Sequence, residues 1–217
     1  MSPADPPPPR MDLAAIEPGA RDWDFPRSAA GLDLLIAHGL DHGLTRATLL
    51  AGTGLEAAWA MAPQERPREI TAAQELRVVR TLQRHRPDDG AAVGARYRAA
   101  TFGRFGYALA TSRTLFDLAD LTLRYLDLSH AFALITAAQV GELVHVRVDG
   151  ERVPADVRGF LVARDATAVA CVLRELVPGV SARLVMGERQ ARLEFPVAEL
   201  ALPVRSEEHT SELQSPM

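Results

Sequence analysis

The spacing of apolar residues changes its period near His130, and this change limits the folds open to the chain. Before His130, apolar residues such as Leu115 and Leu118 recur at the spacing of one helix face. Over residues 144–148, valines alternate with polar residues instead, which is typical of a half-buried strand. The sequence therefore predicts a helical first half and a second half that contains a sheet.

Residues able to cap helices divide the first half into helical segments. Ser28 and Thr45 each stand before such a segment, and Thr71 with Gln74 has the spacing of a capping box. We expect Ser112 to open the most regular helix of the chain. Its apolar stripe comprises Leu115, Leu118, Ala119, Thr122, Tyr125 and Leu126.

The second half contains two predicted hairpins with a helix between them. Residues 131–136 are expected to pair antiparallel with the strand around 144–148, across a turn at 139–141. A long helix is predicted over residues 156–176, and a second hairpin turns at Gly187. The predicted fold class is therefore α+β: a helical N-terminal half followed by a small antiparallel sheet with a crossing helix.

The two ends of the chain differ in composition from the rest. Residues 1–26 include four consecutive prolines and are expected to form a disordered leader. Residues 205–217 lack apolar periodicity, and Arg205–Ser215 resembles the translation of a short-read sequencing adapter. We expect this tail to be artefactual and the reading frame to continue past Val204 in the genome, so that residues 27–204 form the domain of a fragment.

Composition excludes several classes of protein. All 24 basic residues are arginine, so neither a P-loop nor a Schiff-base enzyme, which both need a lysine, is available. A formal charge of −4 argues against a basic nucleic-acid-binding surface. One cysteine, Cys171, cannot form an intrachain disulfide, and no apolar run is long enough to cross a membrane. A cytoplasmic protein is the resulting expectation.

Several short motifs in order resemble the N-terminal domains of AraC-family transcription regulators. The resemblance runs from about residue 30 to residue 204. It is carried by Gly103-Arg-Phe-Gly-Tyr107, Ser112-Arg-Thr-Leu115, Tyr125, Gly43-Leu-Thr-Arg-Ala-Thr-Leu-Leu50, Gly54-Leu55 and Leu200-Ala-Leu-Pro203.

This resemblance implies a regulatory domain and not an enzyme. Such a domain would bind a small-molecule effector, or form a homodimer, without a cofactor. DNA would be bound only by a C-terminal half with helix-turn-helix motifs, which is missing here. The effector would act by shifting the orientation or association of that half.

His38 and His42 suggest a competing class, because residues four apart on a helix can present two imidazoles to a metal ion. A metal-dependent enzyme would follow from that interpretation. No third ligand is evident from the sequence, and Gly39 stands where a metalloprotease motif has glutamate. The simpler interpretation is that both histidines are exposed or cap the helix end.

Five residues are candidates for contact with an effector. Arg104, Tyr107 and Tyr125 lie in the segment that carries the resemblance, and His145 and Arg147 lie on the polar face of a strand. Polar groups converging on an apolar cavity would suit a small acid or a lipid-like molecule. The alternative is that the tyrosines belong to the core and the other three to the surface. A stand-alone small-molecule binding protein also remains open.

Overall fold

A computed structural model describes residues 26–187 and 189–205. The predicted leader lies outside these residues except for Pro26, and the tail lies outside them except for Arg205. The helices are α1 Ala30–Asp41, α2 Arg46–Leu50, α3 Glu56–Ala60, α4 Ala72–His85, α5 Gly90–Gly94, α6 Gly103–Ala110, α7 Leu115–Arg124 and α8 Arg158–Leu176. The strands are β1 Pro26–Ser28, β2 Glu69–Thr71, β3 Leu134–Val140, β4 Leu143–Asp149, β5 Arg183–Met186 and β6 Gln190–Pro196.

The main sheet is antiparallel and has the strand order β3-β4-β6-β5. The first hairpin pairs Leu134 with Asp149, and β4 then pairs with β6 in the register Val146 to Leu193. Helix α8 packs on the sheet face that carries the buried valines of β4. This arrangement confirms the predicted α+β fold of helices followed by a small sheet and a crossing helix.

Local capping interactions explain where several helices begin. The Thr71 hydroxyl accepts a hydrogen bond from the Gln74 amide at 3.1 Å, and the Gln74 side chain accepts one from the Thr71 amide at 2.9 Å. Thr45 caps α2 in the same way through the Thr48 amide. These two predicted caps are confirmed, because the pattern depends only on neighbouring residues. The cap predicted at Ser28 is wrong, since the N-cap of α1 is Ala29.

Two predicted boundaries are wrong by a few residues. Helix α7 is capped by Thr114, whose hydroxyl accepts from the Asp117 amide, and not by Ser112. Thr114 also forms a bridge to Pro203, a distant contact made by the extended backbone of Thr114. Strand β3 begins at Leu134, three residues after the predicted start.

The glycine–aromatic segment before α7 is itself a helix, α6, which the sequence did not predict. Gly103 has a φ of +55° and turns the chain into this helix. A Cβ atom at Gly106 would lie 1.8 Å from the carbonyl oxygen of Ala99. Glycine at position 106 therefore permits close packing of α6 against the residues that precede it.

A short second sheet fixes the start of the described chain. Strands β1 and β2 pair antiparallel, with Arg27 opposite Ile70. Arg27 is buried at this point, so the strand carries a cation into the interior of the helical half. The described residues include no helix that is both long and apolar enough to span a membrane.

Candidate functional site

An apolar cavity lies where α6, α7 and α8 meet the main sheet. Its volume is about 110 Å³, somewhat below the ~150 Å³ of an engineered apolar cavity that binds benzene. Most of its wall is hydrocarbon. The apolar lining residues include Phe105 and Leu109 of α6, Leu115 and Leu118 of α7, Ala168, Val169 and Val172 of α8, and Ile135, Val146 and Phe195 of the strands.

Few polar side chains reach this cavity, and Tyr97 and His130 lie next to each other in its wall. Their ring centroids are 5.7 Å apart. The Tyr97 hydroxyl is buried and has no hydrogen-bond partner among the described residues. Burial raises the pKa of Tyr97 and lowers that of His130, so both groups are neutral near pH 7. The cavity thus offers an uncharged hydroxyl that can donate or accept a hydrogen bond.

A buried cluster of four charged side chains adjoins this polar part of the wall. Glu75 is fully buried. Its Oε2 lies 2.9 Å from Arg27 Nε, and its Oε1 lies 2.9 Å from Arg164 Nη1. Arg164 also pairs with Asp165 at 2.6 Å. Among the described residues, the two arginines and two carboxylates of this cluster balance in charge, which lowers the cost of burying them together.

The same cluster fixes the backbone that leads into β3. The carbonyl oxygen of His130 accepts hydrogen bonds from Arg27 and Arg164 at 2.5 and 2.7 Å. One Asp165 oxygen accepts from the amides of Phe132 and Ala133 at 2.8 and 2.9 Å. The position of His130 in the cavity wall therefore depends on side chains from β1 and α8.

Helix α5 brings Tyr97 to the cavity because it packs unusually close to α8. A Cβ atom at Gly94 would lie 2.3 Å from the carbonyl oxygen of Arg164, and one at Gly90 would lie 2.3 Å from that of Phe160. Glycine at both positions permits this approach. Tyr97 follows three residues after α5 and is buried.

The predicted contact residues of α6 and α7 lie on the outside of the molecule. Tyr107 is 70% exposed and Tyr125 is 50% exposed, and Arg104 is exposed on the same helix as Tyr107. Tyr125 ends α7 instead of continuing its buried stripe. None of the three is among the described residues that line the cavity. The expectation that these tyrosines belong to the core is wrong.

The predicted pair on β4 is also separated from the cavity. His145 and Arg147 lie on the opposite sheet face from Val146, which lines the cavity. His145 Nε2 is 3.9 Å from a carboxylate oxygen of Glu194, and Arg147 pairs with Asp149 at 2.5 Å. The structure thus places the five predicted residues in two surface groups and does not bring them together at one site.

The two predicted metal ligands lie at the end of α1 and acquire a third neighbour. His38 is 1% exposed, so the expectation that both histidines are exposed or only cap the helix is wrong for this residue. Its Nε2 lies 2.9 Å from Asp89 Oδ2, and His42 Nδ1 lies 2.8 Å from the His38 carbonyl oxygen. His42 is exposed and occupies the C-cap position of α1.

The sequence did not indicate the polar residues of the cavity. Tyr97 and His130 stand alone among turn residues, and Asp165 with Arg164 occupies a helix that otherwise follows an apolar pattern. The one sequence feature that could have indicated the buried cluster is the pair of adjacent charged residues, Arg164 and Asp165, in an otherwise apolar helix. Without knowing that Glu75 lies opposite them, that pair could equally have belonged to the surface.

Comparison with known proteins agrees with this fold. Residues 43–196 match the family described as the arabinose-binding N-terminal domain of AraC transcription regulators. The chain belongs to this family. It is 34% identical over 132 residues to uncharacterised HTH-type transcriptional regulators of Mycobacterium tuberculosis and Mycobacterium bovis. The aligned region covers 59% of this chain and 38% of each relative. No solved structure matches the chain.

Proposed function

We propose that this chain is the effector-sensing domain of an AraC-type transcription regulator and that the apolar cavity is its effector site. The cavity carries this proposal, because a concave hydrocarbon wall with few polar groups is the usual form of a small-molecule site. Tyr97 supports it further, since an unpaired buried hydroxyl costs stability unless a ligand completes its hydrogen bonding.

The effector that fits best is a small neutral molecule, mostly hydrocarbon, with one hydroxyl or carbonyl group. A volume of about 110 Å³ suits a single ring or a short chain. The nearby arginines are matched by Glu75 and Asp165, which leaves no surplus positive charge for a carboxylate. The proposal therefore narrows the expected ligand from a small acid or lipid to a neutral compound.

The signal would pass to a DNA-binding half of the full-length protein. Two named HTH-type relatives, of which the aligned region covers 38%, support this part of the proposal. Helix α8 contributes both to the cavity wall and to the buried charge cluster, so an effector that shifts α8 would also shift His130 and β1. A ligand changes the output only if it binds the two arrangements with different affinity. We also expect the full-length protein to be cytoplasmic and to form a homodimer.

Binding of phenol and benzene tests the effector site, because the two molecules share a ring and differ by one hydroxyl. We expect methyl NMR titrations of the 217-residue chain to show tighter binding of phenol, by about fivefold for one hydrogen bond of ~1 kcal/mol. Tyr97→Phe should abolish this preference and leave benzene binding intact.

Tyr107→Phe is the matched control, since it removes the same atom from an exposed tyrosine. It should leave both affinities unchanged. Absence of saturable binding of either molecule would overturn the cavity as the effector site. If Tyr107→Phe lost the preference for phenol and Tyr97→Phe kept it, the binding site would lie on the outer face of α6.

A further inference from the structure

We propose that His38, His42 and Asp89 form a binding site for a divalent transition-metal ion of the zinc type, outside the effector cavity. One ligand atom from each of the three residues lies within 4.8 Å of the others. The two imidazole ring centroids are 4.3 Å apart. The inference does not depend on the proposed function, because neither histidine nor the aspartate lines the cavity.

The local fold explains how these three residues meet. His38 and His42 are one helical turn apart at the end of α1, so their side chains lie on one face. Asp89 directly precedes α5, whose glycines hold it against α8. The end of α1 therefore lies beside the start of α5, and the carboxylate approaches the histidine pair from a separate element.

Hydrogen bonding leaves His42 with a lone pair on Nε2 that no contact uses among the described residues. Its Nδ1 is 2.8 Å from the His38 carbonyl oxygen, and a carbonyl can only accept, so the proton must be on Nδ1. The Nε2 atom of a neutral His42 then carries the free lone pair. Metal-binding histidines are commonly oriented in this way, with the other ring nitrogen donating to a carbonyl or carboxylate.

The other two groups can also offer lone pairs to an ion. His38 is buried against Asp89, with its Nε2 2.9 Å from Asp89 Oδ2. Its Nδ1 has no hydrogen-bond partner among the described residues, so binding through Nε2 moves the ring proton to a buried nitrogen without an acceptor, a cost that the metal bond must exceed. The Asp89 carboxylate is held by Arg86, whose Nε lies 2.8 Å from Oδ2.

The three ligand atoms, which lie within 4.8 Å of one another, must move closer together to hold one ion. Two ligand atoms of a tetrahedral zinc site lie about 3.3 Å apart, from metal–ligand distances of ~2.0–2.1 Å. His38 Nε2 and Asp89 Oδ2 are 2.9 Å apart, joined by the hydrogen bond that the ion would replace. His42 is exposed, so an ion can enter from solvent and keep water as its fourth ligand.

Such an ion would fix the end of α1 to the start of α5. Gly94 of α5 packs against Arg164 of α8, and Tyr97 of the cavity wall follows α5. Metal binding would therefore stabilise the packing that holds Tyr97 in place. A purely structural His38–Asp89 hydrogen bond is the alternative that the experiment must separate from this site.

Cobalt and zinc titrations of the full, tag-free chain test the proposal. We expect Co²⁺ to give the intense visible absorption of a four-coordinate site, at one ion per chain, and Zn²⁺ to displace it. His42→Ala should weaken metal binding by about tenfold or more, because it removes a direct ligand. Loss of a residue that only supports a ligand already weakens metal binding by ~10–100-fold. Asp89→Asn should have a similar effect.

His85→Ala provides a control of the same local geometry. His85 ends α4, and its Nδ1 lies 2.8 Å from the Thr81 carbonyl oxygen, but it belongs to no metal-ligand cluster among the described residues. This variant should bind cobalt as the unchanged chain does. The proposal is wrong if no such cobalt spectrum appears or if binding survives in the His42→Ala/Asp89→Asn double variant. Because His42 is exposed, a melting curve without metal will show that its variant remains folded.

Discussion

Replacing Glu75 with glutamine tests whether the buried charge cluster is balanced as the structure indicates. The substitution preserves shape but removes the charge that pairs with Arg27 and Arg164 at 2.9 Å each. Among the described pairs, Arg164 would keep its pair with Asp165, and Arg27 would lose its pair with Glu75. Breaking a buried ion pair from one side typically costs about 3–5 kcal/mol. For a chain of this size this corresponds to a fall in melting temperature of about 6–20 °C.

Urea denaturation followed by circular dichroism measures this loss directly. Asp120→Asn is the control, because Asp120 pairs with Arg124 on the surface of α7 and such pairs contribute about 0.5 kcal/mol or less. A loss below about 1 kcal/mol for Glu75→Gln would refute the reasoning, since an uncompensated buried charge cannot cost so little. Adding Arg27→Met should recover part of the loss, because it removes a buried cation that paired with the Glu75 carboxylate.

Three further predictions concern packing, pH and DNA. Gly94→Ala should destabilise the chain by about 1–3 kcal/mol in urea denaturation, because its Cβ would lie 2.3 Å from a carbonyl oxygen of α8. In the same assay Gly159→Ala should stabilise the chain slightly, because nothing lies within 4 Å of the added Cβ. Burial lowers the folded-state pKa of His130 below its ordinary value, so stability present above about pH 6.5 should be lost as the pH falls, and His130→Gln should flatten that profile. Because the chain carries a formal charge of −4, gel shifts at physiological salt should show no sequence-specific DNA binding, and a sequence preference would contradict this.

The parts of the fold that the sequence predicts are those set by neighbouring residues. The capping box at Thr71, the cap at Thr45 and the alternation over 144–148 all act within a few positions, and all three appear in the structure. Helix α8 begins within two residues of its predicted start and ends where predicted. In each case the local pattern and the tertiary packing favour the same conformation.

The sites could not be predicted because they depend on distant pairs. Glu75 and Arg164 are 89 positions apart, and His38 and Asp89 are 51 apart. The sequence pointed to two exposed tyrosines, Tyr107 and Tyr125, whereas Tyr97 of the cavity wall belongs to none of the motifs that carried the resemblance. Its placement depends on the glycines of α5, whose effect becomes visible only when α8 lies against them.

Methyl NMR of the chain titrated with phenol tests the central claim most directly. If the cavity is the effector site, the largest shifts should occur at Leu118, Val169 and Val172, which line it, and should saturate together. Shifts concentrated instead around Tyr107 and Tyr125, or no saturable shift at all, would contradict the account.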